Sequence, residues 1–151
     1  MDEAGGRMSV RFGYRNTGAP DLHRRGLRPE TAPVAMLLTD IEADLVIRDG
    51  VRIVFAEESF PVAELARALV GWSQRPERGG FAFDSMSYPE PGAVRIAESE
   101  RGWRVGSVFR PDAWTAPVSW EALTAEVGRF TAAVRADVAR LGADPGLIPA
   151  L

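Results

Sequence analysis

The sequence contains no cysteine and no lysine, and histidine occurs once, as His23. Without cysteine the chain can form no disulfide, no thiol nucleophile and no cysteine-rich zinc site. All 18 basic residues are arginine, so neither a Schiff-base lysine nor the lysine of a phosphate-binding P-loop is present. So few reactive groups remain that the sequence favours a non-catalytic protein without a cofactor.

Long apolar runs are also missing. No stretch approaches the roughly 18 apolar residues of a membrane span, and the first residues, MDEAGGRMSV, lack the apolar segment of a secretion signal. We therefore predict a cytoplasmic protein that makes no membrane contact. The net charge is only −3, and acidic residues concentrate between positions 40 and 58. This distribution argues against a nucleic-acid partner.

The length and composition are those of one globular domain. Of the 151 residues, 46% are hydrophobic and 26% are charged, which suffices for one core without covalent cross-links. We expect a single domain over residues 1–151, with 1–7 and 143–151 flexible or peripheral. Residues 16–33 contain three prolines and two glycines and show little periodicity. This composition predicts a long loop.

Alternation of apolar and polar residues predicts the strands. Residues 8–15 alternate, and residues 34–55 contain two alternating runs around an Asp-Gly turn, the pattern of a β-hairpin. In residues 81–96, FAFDSMSYPEPGAVRI, a proline-rich turn separates two extended runs, and residues 103–110 alternate again. These later segments predict a three-stranded meander.

Two segments have the spacing of amphipathic helices. After Pro61, apolar residues recur three and four positions apart as far as Trp72. A second helix is predicted to begin after Ser119 as its N-cap and to end at Gly142 in a left-handed cap. The predicted fold is an α+β two-layer sandwich, with an antiparallel sheet of about six strands and both helices packed on one face.

No catalytic constellation is recognisable. A serine hydrolase would need Ser85 or Ser87 with His23 and Asp84, but no G-x-S-x-G motif surrounds either serine. Carboxylates recur at i and i+2 along the predicted strands, which is typical of the solvated face of a half-exposed sheet. One histidine among scattered carboxylates predicts no metal site.

Segregated charge is the remaining functional signal. The predicted hairpin has an acidic face, the long loop is rich in arginine, and one tryptophan in the segment PDAWTAP is expected to be exposed. We interpret these features as a surface that docks a protein partner, such as a toxin or a regulatory target, because charge complementarity governs partner choice. The oligomeric state stays open, with a homodimer among the options. The predicted partner-binding residues are Asp40, Glu42, Asp44, Arg24, Arg25 and Trp114.

Two alternatives stay open. A small-molecule binder or modest enzyme would have a pocket between the sheet and the C-terminal helix, near Trp103, Ser107 and residues 15–33. Nucleic-acid binding would depend on the arginines of residues 24–28 alone, and its affinity would fall with salt.

Several segments resemble a known family. They are FPVAELARALVGW, FAFDSMSYPEPGAVRI, GWRVGSVF and GRFTAAVRADVARLGADP. Together they resemble a family of short actinobacterial proteins that carries only a domain-of-unknown-function label. This resemblance implies a stand-alone bacterial domain and assigns no catalytic residue. In architecture and charge alone, the chain is also similar to small acidic immunity proteins that neutralise bacterial toxins.

Overall fold

The computed structural model describes residues 10–151, which form an α+β fold of strands, α-helices and one 3-10 turn. The prediction for residues 1–7 lies outside this range. Within it, no helix combines the length and the hydropathy that a membrane span requires. The strands are β1 (Val10–Gly18), β2 (Glu42–Asp49), β3 (Arg52–Phe60), β4 (Phe81–Ala82), β5 (Arg95–Ser99), β6 (Gly102–Ser107) and β7 (Arg110–Trp114). The helices are α1 (Pro20–Arg24), α2 (Val34–Asp40), α3 (Val62–Ser73) and α4 (Trp120–Arg140), followed by the 3-10 turn Pro145–Leu147.

The first sheet consists of β1, β2 and β3 in that order, all antiparallel. Along β2, Ala43, Leu45 and Ile47 are buried and their neighbours face outward, because successive side chains of a strand point to opposite faces. The turn to β3 contains Gly50 with φ of 62°, a backbone angle that glycine adopts without steric cost. The predicted hairpin with its Asp-Gly turn is therefore confirmed from residue 42 onward.

The second sheet contains β4, β5, β6 and β7 in sequence order. Phe81 pairs with Ile96, so the two ends of the segment FAFDSMSYPEPGAVRI do meet as a hairpin. The meander has four strands rather than three because β7 pairs with β6. Pro111 lies inside β7, and a proline is tolerated there since β7 is at the edge of the sheet.

One hydrophobic cluster fills the space between the helices and both sheets. Helices α3 and α4 pack against each other and against the inner faces of the strands. The rings of Phe130 in α4 and Phe12 in β1 lie 5.5 Å apart, centroid to centroid. At the other end of α4, Trp120 lies 4.9 Å from Trp103 of β6. The helix α4 therefore ties the two sheets to a common core.

Both predicted helices are confirmed. The helix expected after Pro61 is α3, and the N-cap of α4 is Ser119, whose hydroxyl accepts a 3.0 Å hydrogen bond from the backbone N–H of Ala122. Gly142 follows α4 with φ of 99° and supplies the expected left-handed end. With 21 residues, α4 is about 32 Å long, which lets it reach from β1 to β6.

The prediction of one six-stranded sheet is wrong, because the strands form two separate sheets. Strands β3 and β7 lie side by side. The hydrogen bonds that join the two segments involve side chains and do not form a backbone ladder. Arg52 donates to the carbonyl of Trp114 at 2.7 Å, and the backbone N–H of Ala116 donates to Asp49 at 2.7 Å. Periodicity shows which face of a strand is buried; it does not show which strands pair.

Two short helices replace extended or loop structure in the prediction. Residues 34–40 were expected in the hairpin and instead form α2, while α1 lies within the predicted loop 16–33. Val34, Leu37 and Leu38 have helical spacing, but seven residues make only two turns, too few to distinguish helix from strand. Strand β1 also continues to Gly18, three residues beyond its predicted end.

The C-terminal segment 143–151 is less peripheral than predicted. Ala143, Leu147 and Ile148 are buried in the core cluster, and the side chain of Arg135 donates to the carbonyl of Ile148 at 2.7 Å. These apolar residues extend the surface that α4 covers.

The two tyrosines predict how the stability of the protein changes at alkaline pH. Burial and a 2.5 Å hydrogen bond to Asp137 raise the pKa of Tyr14, and burial together with the charge of Glu57 raises the pKa of Tyr88 to about 12. A tyrosine whose pKa is higher in the folded than in the unfolded state stabilises the fold at pH values below its unfolded pKa, near 10. This stabilisation is lost as the pH rises above about 10. We expect phenolate absorbance to stay flat through about pH 10 and to rise only together with unfolding followed by circular dichroism. Titration near pH 10 in a folded protein would contradict this assignment.

Candidate functional site

Asp44 lies in β2 between two irregular strands. Its carboxylate accepts a 2.8 Å hydrogen bond from the side-chain amide of Asn16 and a 3.2 Å bond from the backbone N–H of Ser59. The β1–β2 register shifts between Arg15 and Gly18, and the β2–β3 register shifts between Ala43 and Leu45. One carboxylate therefore fixes a bulge in each neighbouring strand.

The two partners of Asp44 have strained backbones. Asn16 has φ of 61° and Ser59 has φ of 55°, and within residues 10–151 no other non-glycine residue has positive φ. A left-handed conformation costs a serine about 1–2 kcal/mol, whereas asparagine adopts it more readily. Strained backbones and bulges both concentrate at functional sites. Their convergence on Asp44 makes this the candidate site.

The charge of Asp44 is stabilised locally. The hydrogen bond from Asn16, followed by that from the Ser59 backbone and the nearby charge of Arg15, lowers the pKa of Asp44 below its ordinary value, against a smaller opposing effect of desolvation. Asp44 thus remains an anion throughout the neutral range and into acid.

An open depression of about 630 Å³ surrounds Asp44 on the outer face of the first sheet. Glu58 and Ser59 of β3 line one side of it, and Arg15 of β1 lines the other. Glu57 also borders it, but its register position opposite buried Leu45 puts its side chain on the inner side, near Tyr88. The buried residues of β2 point to the opposite, inner face, and both α3 and α4 pack against strands of the first sheet. The depression is therefore accessible, polar and rich in carboxylates, and we call it the acidic depression.

The other predicted acidic residues behave differently from one another. Glu42 faces outward at the start of β2, beside Gly18. Asp40 ends α2, is only 6% exposed and pairs with Arg25 at 2.8 Å. The prediction that Asp40 lies on the acidic face is wrong, because α2 turns the Asp40 carboxylate towards the loop that contains Arg25.

The predicted arginines and the tryptophan lie away from Asp44. Arg24 forms an ion pair with Asp21 within α1, and Arg25 is held by Asp40. Trp114 is half-buried in β7 instead of exposed in a loop. The guanidinium of Arg95 stacks over its indole ring at 4.4 Å. Of the six residues, the structure brings only Glu42 and Asp44 together on one face.

The serine candidates have no histidine partner. Ser85 is buried and its hydroxyl donates to Glu64 of α3 at 2.6 Å. The same carboxylate accepts the backbone N–H of Met86, so the contact fastens a loop to a helix. His23 lies exposed in α1. In the described part of the chain, no three histidine or carboxylate side chains come together as a metal site.

The pocket expected beside the C-terminal helix is not formed by the residues named for it. Trp103 is 4% exposed and Ser107 is fully buried, and the backbone of Trp103 pairs with that of Val118. Residues between 18 and 29 line an apolar depression of about 660 Å³ around α1, together with Leu141 directly after the C-terminal helix.

A buried carboxylate, Glu126, was missed by sequence reasoning because its neighbours in the helical stripe are apolar. It accepts a 2.7 Å bond from the backbone N–H of Phe12 and bonds of 2.6 and 2.9 Å from Arg129, with Arg11 at 3.3 Å. The Arg129 guanidinium also donates to the carbonyl of Phe12 at 2.7 Å. The hydrogen-bonding capacity of the Glu126 carboxylate is thus used within the fold, which identifies Glu126 as structural.

Comparison with known proteins leaves the activity open. No curated protein and no solved structure matches the chain significantly. One family model matches residues 25–140, a range that begins after β1 and runs to the end of α4. The resemblance to a family without an assigned function is thereby confirmed. By this match over most of its length, the chain belongs to the family described as domain of unknown function DUF7878.

Proposed function

We propose that this protein is a non-catalytic protein-binding module and that the acidic depression is its docking surface. The observation that carries the proposal is the Asp44 carboxylate, held between two bulges by Asn16 and Ser59. Fixed charges in a rigid sheet need little reordering when a partner arrives. An acidic surface of this kind suits a basic segment of a protein, such as a toxin or a regulatory target.

The chemistry of the depression supports docking over turnover. Its carboxylates, Asp44 and Glu58, lie beside one cation, Arg15, on an open surface, and Glu42 faces the same side two residues before Asp44. General acid catalysis at neutral pH needs a carboxyl group with a raised pKa, whereas the pKa of Asp44 is lowered. The cytoplasmic location and the immunity-like role stay predictions from the sequence.

A charge-reversal titration tests the docking surface. Binding of a short arginine-rich peptide to the protein would be measured by NMR chemical-shift perturbation at low and at physiological ionic strength. In the double variant Glu42→Arg/Glu58→Arg we expect the peptide affinity to fall at least about tenfold, because attraction becomes repulsion. The backbone signals of Asp44 and Ser59 should shift in the wild type and stay still in the variant.

A matched control separates docking from net charge. Glu98→Arg/Glu100→Arg changes the net charge by the same amount, and both residues are exposed on the second sheet and its turn. We expect this control to retain peptide affinity within about threefold. Equal loss in both variants, or shifts spread over the whole surface, would refute a defined site.

A further inference from the structure

The outer face of the first sheet carries opposite charge at its two ends. Asp44 pairs with Arg15 at one end, where the acidic depression lies. Four residues further along β2, Arg48 faces outward opposite Arg11. Four residues span about 13 Å of strand. The face therefore changes from acidic to basic within the length of one strand.

Small residues occupy the middle of this face. Val46 lies between Gly13 of β1 and Ala56 of β3 in the sheet register, and none of the three is fully buried. Beside them, Ile53 is 44% exposed. The centre is consequently flat and apolar, and it would allow a second sheet to approach to about 10 Å.

The basic end continues onto the second sheet. Arg52 donates to the carbonyl of Trp114 at 2.7 Å, and Arg95 stacks on the indole of the same residue. Arg104 lies on the same face as Arg95, since Ala97 pairs with Arg104 while Arg95 pairs with Gly106. Strand β7 lies beside β3, and Arg52 and Arg95 both contact Trp114 of β7, so these cations adjoin the first sheet at the end where Arg48 lies.

Two of these cations have unused donors. The Nε atoms of Arg95 and Arg104 are buried and have no hydrogen-bond partner among the described residues. A buried donor without a partner costs free energy that a hydrogen bond would recover. Both side chains are only partly covered, so a carboxylate brought to this face could draw the guanidinium groups outward and satisfy them.

We infer that a second copy of this chain docks on this face about a two-fold axis. The inference rests on the proposed docking function and names its occupant. In a two-fold pair the same patch meets itself, so each patch must be self-complementary. With the copies antiparallel, the acidic depression of each faces the arginines of the other, and the flat apolar rows around Val46 meet at the centre. An apolar centre with a charged rim is the usual anatomy of an interface.

Sedimentation velocity over micromolar to submillimolar concentrations tests the inference. We expect the wild type to associate reversibly to a dimer. Reversal of the acidic end, Glu42→Arg/Glu58→Arg, and of the basic end, Arg48→Glu/Arg104→Glu, should each raise the dissociation constant at least about tenfold, because like charges then face each other at both contacts.

Mixing the two variants supplies the decisive result. One variant has basic residues added at its acidic end and the other has acidic residues added at its basic end, so the pair restores attraction at both contacts. We expect an equimolar mixture to dimerise at least as well as the wild type. The control replaces the second variant with Arg67→Glu/Arg75→Glu, whose exposed arginines lie on and after α3. That variant has the same net charge but an unaltered face, so it should dimerise with itself like the wild type and should not form a mixed dimer with the first variant, which a fluorescent label on the first variant distinguishes.

The outcomes distinguish this inference from the docking function itself. A wild type that stays monomeric at every concentration overturns the two-copy interface, while selective peptide binding at the acidic depression would keep the docking function. A dimer that ignores both reversals, or that forms equally with the control, overturns this face as the interface. Loss of peptide selectivity removes the docking function whatever the oligomeric state.

Discussion

Gly102→Ala is expected to destabilise the protein by about 3 kcal/mol or more, the range of severe core and backbone defects. Gly102 begins β6 with φ of 139°, and an added Cβ would lie 2.6 Å from the carbonyl oxygen of Val118. That carbonyl accepts the backbone N–H of Trp103 at 2.8 Å. The clash involves backbone on both sides, so a rotamer change cannot relieve it. Urea denaturation followed by circular dichroism measures the loss.

Gly71→Ala is expected to have the opposite effect and to stabilise the same protein. Gly71 lies in α3, and an added Cβ would meet nothing within 4 Å. Alanine lowers the entropy cost of forming a helix, so we expect a gain of up to about 1 kcal/mol. If Gly102→Ala unfolds at the same urea concentration as the wild type, the tight approach of β6 to Val118 is not present in solution.

Glu126→Ala is expected to cost about 1–3 kcal/mol, as leaving a buried hydrogen-bond donor without its acceptor does. The substitution removes the acceptor for the backbone N–H of Phe12 and leaves Arg129 without its partner. That partner's hydrogen bonds raise the pKa of the Arg129 guanidinium, which therefore remains charged. Urea unfolding gives the free-energy change, and amide hydrogen exchange at Phe12 should accelerate with it.

Glu121→Ala is the matched control on the same helix. Glu121 is exposed in the first turn of α4, where a carboxylate interacts with the helix dipole by about 0.3–1 kcal/mol. We expect a loss in that range and unchanged exchange at Phe12. Equal effects of the two substitutions would show that the contacts of Glu126 with Phe12 and Arg129 do not stabilise the fold.

Local sequence patterns predicted the helices and strands that are long enough to show their hydrophobic periodicity several times. The hairpin of β2 and β3 has alternating residues on both strands and an Asp-Gly turn, and α4 has an N-cap at Ser119 and a glycine end at Gly142. Each of these signals depends on neighbours within a few positions along the chain. Elements of this kind were recovered with small errors at their ends.

Long-range features could not be derived from the sequence. The split into two sheets depends on which strands pair across the α3 segment, and the Arg25–Asp40 ion pair forms only because α2 turns Asp40 towards the loop. At the candidate site, the acidic character around Asp44 was predicted. The bulges at Asn16 and Ser59 were not, because a left-handed asparagine or serine has no distinctive pattern in one sequence.

The contact of Glu126 and Arg129 with Phe12 has a further consequence for β1. An edge strand normally offers unpaired N–H and C=O groups to which a foreign strand can add. At Phe12 both groups are already bonded to side chains of α4, which closes this position to β-augmentation. Polymerisation by strand addition is thereby blocked there without proline or lysine, the more usual protectors of an open edge.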